Sequence, residues 1–253
     1  MIIDKVYVIT IDKSQSNIRR IINNVKDVGL PNKAPIQIIG VNGWELTDKH
    51  LDDMGVGVYK NWNLNYSDAT NKTKWHNRDI TKGEIGCALS HIEVWEDAYK
   101  NRHKNIIVYE DDFNKLRDLD WSILNNVDFD LLYLGRNLQV SKIDNWDEYY
   151  NEELCIPGFS YQSHAYLLSE NGIKILVEHY LPRFKSKLIP LDDFLALTYG
   201  PIYRKDLDGI YSNKHIFALA FNRNIVYQNR IKKSTTEPRE NPKFEGFIKV
   251  KEQ

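Results

Sequence analysis

Two kinds of apolar pattern alternate in the first forty residues, and they restrict the fold more than any other feature of the chain. Val6-Tyr-Val-Ile-Thr-Ile11 is a β-branched apolar run and reads as a buried first strand. Asp12-Lys-Ser-Gln-Ser16 breaks it, and Ile18, Ile21, Ile22, Val25 and Val28 then recur at helical spacing until Gly29. Ile36 to Val41 reads as a second strand, ended by Asn42-Gly43. Strand, helix and strand within about 35 residues make a βαβ unit, the opening of an open parallel sheet.

The rest of the chain continues in the same manner. Residues 47 to 81 are irregular, with a short helix near Asp48 to Met54 and two glycosylation sequons at Asn65 and Asn71. Thr81-Lys-Gly-Glu84 is a capping box, followed by Ile85, Ala88, Leu89, Ile92, Trp95 and Tyr99 at helical spacing. Ile106 to Tyr109, Asp130 to Leu134 and Ser163 to Leu168 read as strands. Asn171 to Tyr180 and Leu191 to Tyr199 read as helices. Ile216 to Phe221 and Ile225 to Tyr227 read as two strands paired around Asn222-Arg-Asn224, and the tail from Lys232 is polar.

Charge narrows the class of partner. Lys and Arg number 34 against 35 Asp and Glu, so the basic footprint of a nucleic-acid binder is missing. Cys87 and Cys155 have no C-x-x-C spacing; they read as buried small apolar residues rather than a zinc or redox pair. Neither a signal peptide nor an apolar stretch long enough to span a membrane is present, which favours a soluble, cytoplasmic protein.

Glu110-Asp111-Asp112, directly after the apolar run Ile106 to Tyr109, is the sharpest chemical feature. Three adjacent carboxylates repel one another, and a divalent cation removes that cost. In an extended segment residues i and i+2 point the same way, so Glu110 and Asp112 can share one ion while Asp111 points elsewhere, for example to a ribose hydroxyl. Open α/β sheets bind ligands at the carboxyl ends of their strands, and magnesium or manganese accepts such oxygens together with diphosphate. A solvated acidic turn is the alternative. Asp192-Asp193 behind Pro190 is the second acidic pair; it is either a plain helix start or holds a general base. Ser90-His91 lies on the capped helix without the spacing of a hydrolase triad. Arg136 follows a strand and could face phosphate oxygens.

These residues resemble a known family. Gly83-Glu-Ile-Gly-Cys-Ala-Leu-Ser-His91, then Trp95, then Val108-Tyr-Glu-Asp-Asp112, resembles the signature of glycosyltransferase family 25, which contains lipopolysaccharide galactosyltransferases and collagen hydroxylysine galactosyltransferases. Val8 to Asp12, the Val41-Asn-Gly43 turn and Asp130-Leu-Leu-Tyr-Leu-Gly-Arg136 extend the likeness. Gly158-Phe-Ser-Tyr161 and Leu188-Ile-Pro-Leu-Asp-Asp-Phe-Leu195 are similar to the collagen-modifying branch, whose second acid is often Glu where this chain has Asp193. The resemblance implies an α/β GT-A fold over residues 1–236, with 237–253 as a polar tail. It implies a UDP-galactose or UDP-glucose donor, manganese or magnesium, and inversion at the sugar carbon. The metal ligands would be Glu110, Asp112 and a late histidine, His215 being the last available. Asp111, Arg136 and Asn42 would contact the nucleotide, and Asp192 or Asp193 would be the base. The expected acceptor is hydroxylysine of a collagen-like protein, with a glycan as the alternative; a homo-oligomer is left open.

Overall fold

Strands β1 (Lys5–Ile9) and β2 (Ile36–Ile39) lie side by side and parallel, joined by helix α1 (Gln15–Val28). This is the βαβ unit expected from the apolar pattern. The computed structural model describes residues 1–62, 79–138, 146–200, 207, 211 and 215–229. Both sequons and the tail from 237 fall outside them.

The chain continues through α2 (Asp48–Asp53), α3 (Lys82–Lys100), β3 (Asn105–Glu110), β4 (Phe113–Lys115) and β5 (Leu131–Leu138). Next come β6 (Glu148–Tyr149), β7 (Leu154–Ile156), β8 (Ser160–Ser169), α4 (Glu170–Lys174), α5 (Leu181–Ser186), α6 (Leu191–Leu197), β9 (Ala218–Phe221) and β10 (Val226–Gln228). Eight strands form one sheet in the order β2-β1-β3-β8-β5-β9-β7-β6, and β10 pairs with β4 in a separate ribbon. The β1–β2, β1–β3 and β5–β9 pairs are parallel, while β8 runs antiparallel between β3 and β5. The expected hairpin of β9 with β10 does not form. β9 pairs with β5 and β7, and β10 crosses to β4. Local composition marks both segments as strands but carries no information about their partners.

The sheet is buried on both faces, and side chains alternate between two cores as the pleat requires. Tyr7, Ile9, Ile106, Val108, Tyr133, Tyr166 and Leu168 face one side, where α3, α5 and α6 contribute Trp95, Phe184 and Phe194. Val6, Val8, Ile107, Tyr109, Leu132 and Leu167 face the other, where α1 contributes Ile21, Val25 and Val28. Three layers result, helix, sheet and helix. Among the described residues no helix is long and apolar enough to cross a membrane.

Three local devices orient the helices around the sheet. The Thr81 hydroxyl accepts from Glu84 N at 3.2 Å, and Glu84 Oε2 accepts from Thr81 N at 2.8 Å, closing the capping box of α3. Thr81→Ala should cost about 1 kcal/mol of stability; a thermal melt checks this, and a large loss of ligand affinity at unchanged melting temperature would assign Thr81 to the site instead. Between α4 and α5 the helix widens into a π turn over Ile175–Tyr180. Pro182 follows within its next turn; it has no N–H to give and crowds the carbonyl four residues back. The third device is a backbone contact between two motif glycines. A Cβ on Gly86 would meet Gly43 N at 2.4 Å and Val41 O at 2.8 Å. All of these are backbone atoms that cannot swing away. Gly86→Ala should therefore destabilise by about 1–3 kcal/mol, the usual range for overpacking, read from denaturant midpoints; an unchanged midpoint would show that the two segments can separate freely.

Candidate functional site

β3 is buried along Ile106 to Tyr109 and surfaces at Glu110, beside Ile9 at the end of β1. The three acids then diverge. Glu110 Oε1 accepts from Ser163 Oγ at 2.7 Å and lies 3.5 Å from His91 Nε2. Burial pushes the Glu110 carboxyl up, but His91 and Ser163 outweigh it and hold it below the ordinary carboxylate value. Asp111 Oδ2 accepts from Thr10 Oγ1 at 2.6 Å, and Arg20 Nη2 donates to the Asp111 carbonyl at 2.8 Å. Asn17 Nδ2 donates both to Thr10 Oγ1 and to the Asp12 carbonyl. Asp111 thus ties the end of β3 to the loop after β1, the edge where an open α/β sheet takes its ligand.

Asp112 is the least satisfied of the three. Its Oδ2 accepts from Gln228 Nε2 at 2.9 Å, while its Oδ1 is buried with no hydrogen-bond partner. Burial, then the charge of Glu110, pushes its carboxyl up to about 7. A buried carboxylate oxygen without a donor is costly to leave so. Beside a second carboxylate, this oxygen set fits a hard divalent cation.

Asp192 comes from a different element, α6. It stands half-buried in the first turn of α6, behind Pro190, with Asp193 N donating to its Oδ1 at 3.1 Å. Burial, then the charges of Asp193 and Glu84, pushes its carboxyl up to about 7, against a hydrogen bond from the Gln162 backbone. Asp193 is more deeply buried, at 4% exposure. One thiol registers the convergence of these segments. Burial, then the charges of Glu110, Asp192, Glu84 and Asp112 in turn, pushes Cys87 on α3 well above the ordinary thiol range.

A bulge in β8 joins the two acidic groups. Tyr161 pairs with Asn137 and Ala165 with Gly135, so residues 162 to 164 stand opposite the single residue Arg136. Gln162 adopts φ 73°, uncommon for a residue with a side chain. The extra length turns the Gln162 backbone to Asp192 and the Ser163 hydroxyl to Glu110.

Three expected site residues are placed elsewhere. His215 lies at the wrong edge of the sheet. It precedes Ala218, which pairs with Leu131; Leu131 pairs with Leu168, and Leu168 with Ile106 at the start of β3. Glu110 is at the far end of that strand, four residues or roughly 13 Å from Ile106 at about 3.3 Å per residue. The His215 ring packs against His179 with centroids 4.1 Å apart. Being the last described histidine does not bring it to the acids, and it cannot share an ion with them. Arg136 is buried: Nη2 pairs with Asp147 at 2.6 Å and Nη1 donates to Ser160 Oγ at 2.9 Å. Asp147 also accepts from Gly158 N, so Arg136 locks the Gly158-Phe-Ser-Tyr161 turn rather than presenting its fork to phosphate. Asn42 caps the short 3-10 turn Gly43–Glu45, accepting from Trp44 N and donating to Glu45 Oε1, which commits both ends of its amide locally.

The residues that complete the site are Ser163, Gln162, Gln228, Thr10 and His91. Only His91 left a usable sequence signal, its four-residue spacing from Cys87 on one helix face. Gln162, Ser163 and Gln228 lie in unremarkable strand sequence, and Thr10 in the loop after β1.

A family model described as Glycosyltransferase family 25 (LPS biosynthesis protein) matches residues 3–118, from β1 through the acidic cluster. A protein of Aedes aegypti named Glycosyltransferase 25 family member is 26% identical over 85% of this chain and 34% of its own length. The chain is similar to glycosyltransferase family 25. It is also 25% identical, over 90% of its length, to a Xenopus laevis protein named Procollagen galactosyltransferase 1-A, of which 36% is covered. A human protein named Inactive glycosyltransferase 25 family member 3 is 27% identical over 78% of this chain and 32% of its own. The chain therefore spans about a third of the length of these curated relatives.

Proposed function

We propose that this chain is a family 25 glycosyltransferase domain that transfers galactose or glucose from a UDP-sugar to a hydroxyl acceptor with inversion. The observation that carries the reading is the buried, unpartnered Asp112 Oδ1 beside Glu110. Glu110 and Asp112 would hold manganese or magnesium, which when bound neutralises the donor diphosphate as it leaves. Asp111, tied to Thr10 and Arg20, positions the nucleotide against the loop after β1. Ser163 orients the Glu110 carboxylate, and Gln228 orients that of Asp112.

Inversion takes one direct displacement. The acceptor hydroxyl then needs a carboxylate to receive its proton while the sugar carbon is attacked from the face opposite the leaving diphosphate. Asp192 is preferred to Asp193 for this role because it is the less buried of the pair and its affinity for a proton is raised towards neutrality. Hydroxylysine of a collagen-like protein is the first acceptor, supported by the Xenopus relative's name. A lipopolysaccharide-type glycan is the second, supported by the family description. The human relative's name supports a further alternative, a nucleotide-sugar-binding module without turnover.

The test is a panel of UDP-sugars, with manganese or with chelator, against a hydroxylysine peptide and a glycan acceptor. Metal-dependent release of UDP with sugar on an acceptor is the expected result. Release of UMP would point to a phosphodiesterase, and donor binding without release under any condition to the silent module; either would overturn the transferase reading.

A further inference from the structure

Cys87 and His91 are four residues apart on α3, so both side chains leave the same helix face. Glu110 reaches the same point from the end of β3. The Cys87 sulfur, an imidazole nitrogen of His91 and a carboxylate oxygen of Glu110 all lie within 4.8 Å of one another. His91 is fully buried, and its Nε2 has no hydrogen-bond partner. Glu110 Oε1 stands 3.5 Å from that nitrogen, too far for a good N–H···O bond. The spacing matches two ligands on one tetrahedral cation: bonds of about 2.1 Å put neighbouring ligand atoms about 3.4 Å apart.

We propose that Cys87, His91 and Glu110 form a binding site for a thiophilic divalent cation, with zinc the best match. The ligand set of thiolate, imidazole and carboxylate is the mixture zinc accepts, whereas magnesium and manganese prefer oxygen alone. The outer support of the site is already built. His91 Nδ1 is 2.7 Å from the Tyr166 hydroxyl, whose oxygen also accepts from Trp95 Nε1 at 3.1 Å. With Nδ1–H donating to the Tyr166 hydroxyl oxygen, the lone pair sits on Nε2 and points into the site, the arrangement usual for a metal-bound histidine. Ser163 supports Glu110 in the same way. On binding, the Cys87 S–H bond gives its proton to solvent, and the zinc–sulfur bond replaces it. One thiolate and one carboxylate then balance the two charges of zinc, so the buried group is neutral overall. Cys87 is only half-buried, which leaves a way in for the ion and room for a fourth ligand from solvent. The two cysteines lack C-x-x-C spacing, yet the fold supplies a different pairing, cysteine with histidine one helical turn on.

Glu110 is also a ligand in the proposed donor site, so zinc and the donor's hard cation would exclude each other; that consequence rests on the transferase reading, and the zinc site itself does not. The test therefore uses the whole chain with metal alone and no sugar. Cobalt(II) is titrated as a spectroscopic probe, then displaced by zinc. The expected result is one cobalt per chain with a thiolate-to-cobalt charge-transfer band in the near ultraviolet. Cys155→Ser should keep this band. Cys87→Ser should lose it and bind zinc at least tenfold more weakly. As a check that does not depend on how Cys87→Ser folds, zinc should slow alkylation of Cys87 in the Cys155→Ser protein by tenfold or more. Absence of the band, a band that survives Cys87→Ser in a folded variant, or alkylation indifferent to zinc would each overturn the proposal.

Discussion

Asp112→Asn is expected to remove metal-dependent donor binding and, with it, transfer. An amide supplies one neutral oxygen where a carboxylate supplies charge, and a hard cation held by two acids loses half of the charge that holds it. Manganese affinity should fall by at least about a hundredfold, in line with the loss of a metal ligand. Stability should move the other way. Burial and then Glu110 hold the Asp112 carboxyl up at about 7 in the folded metal-free protein, above the value of about 3.9 expected in the unfolded chain. Ionisation is therefore penalised by folding. Between those two values the folded state binds the extra proton, and stability falls as pH rises. The asparagine variant has no such penalty, so without metal it should melt at an equal or higher temperature at pH 8, and the advantage should vanish below about pH 4. Calorimetric titration with manganese and a pH series of thermal melts check both halves. Unchanged manganese affinity would remove Asp112 from the metal site; a marked drop in melting temperature would make its role structural.

Asp192→Asn should lower turnover by roughly a hundredfold or more while donor affinity stays near that of the wild type, because the base acts on the acceptor. Asp193→Asn should do less, since that side chain lies deeper in α6. The wild-type profile carries a signature. Burial and then Asp193 hold the Asp192 carboxyl at about 7, and a base works only when deprotonated. Turnover should therefore rise with pH through that region, and the rising limb should disappear from the residual activity of Asp192→Asn. Asp112 titrates in the same range, so the profile is measured at saturating manganese, which keeps Asp112 ionised. Near-normal turnover in both asparagine variants would dismiss the pair as the source of the base. Loss of donor binding in both would move the pair to the nucleotide site. The same substitution should raise stability above about pH 7, a trade of activity against stability common at functional sites.

How legible this protein is in its sequence depends on the range of the interaction concerned. The βαβ opening, the capping box at Thr81 and the acids at the end of β3 could all be read because each rests on groups a few residues apart. Apolar period, N-cap geometry and strand-end position leave local marks. Arg136 shows where that ends. A strand-end arginine next to a glycine reads as a phosphate ligand, yet its partners Asp147 and Ser160 are brought to it by strand pairing, and the pairing buries its charge. His215 fails for the same reason, since its position is decided by which end of β5 the start of β9 meets.

By itself, then, the sequence determined an α/β sheet opened by a βαβ unit, with an acidic cluster at a strand's carboxyl end and an acidic pair at a helix start. Tertiary structure alone decided that both groups come close enough to bear on one thiol, Cys87 on α3. It did so through the bulge in β8, where Gln162 and Ser163 serve one acidic group each, and through β10, which carries Gln228 to Asp112 from 116 residues further along the chain. The physical reason is that helix caps and apolar periods are fixed by neighbours within one or two turns. Strand partner, register and bulge position are instead fixed by how the whole core packs, and no short run of residues records that outcome.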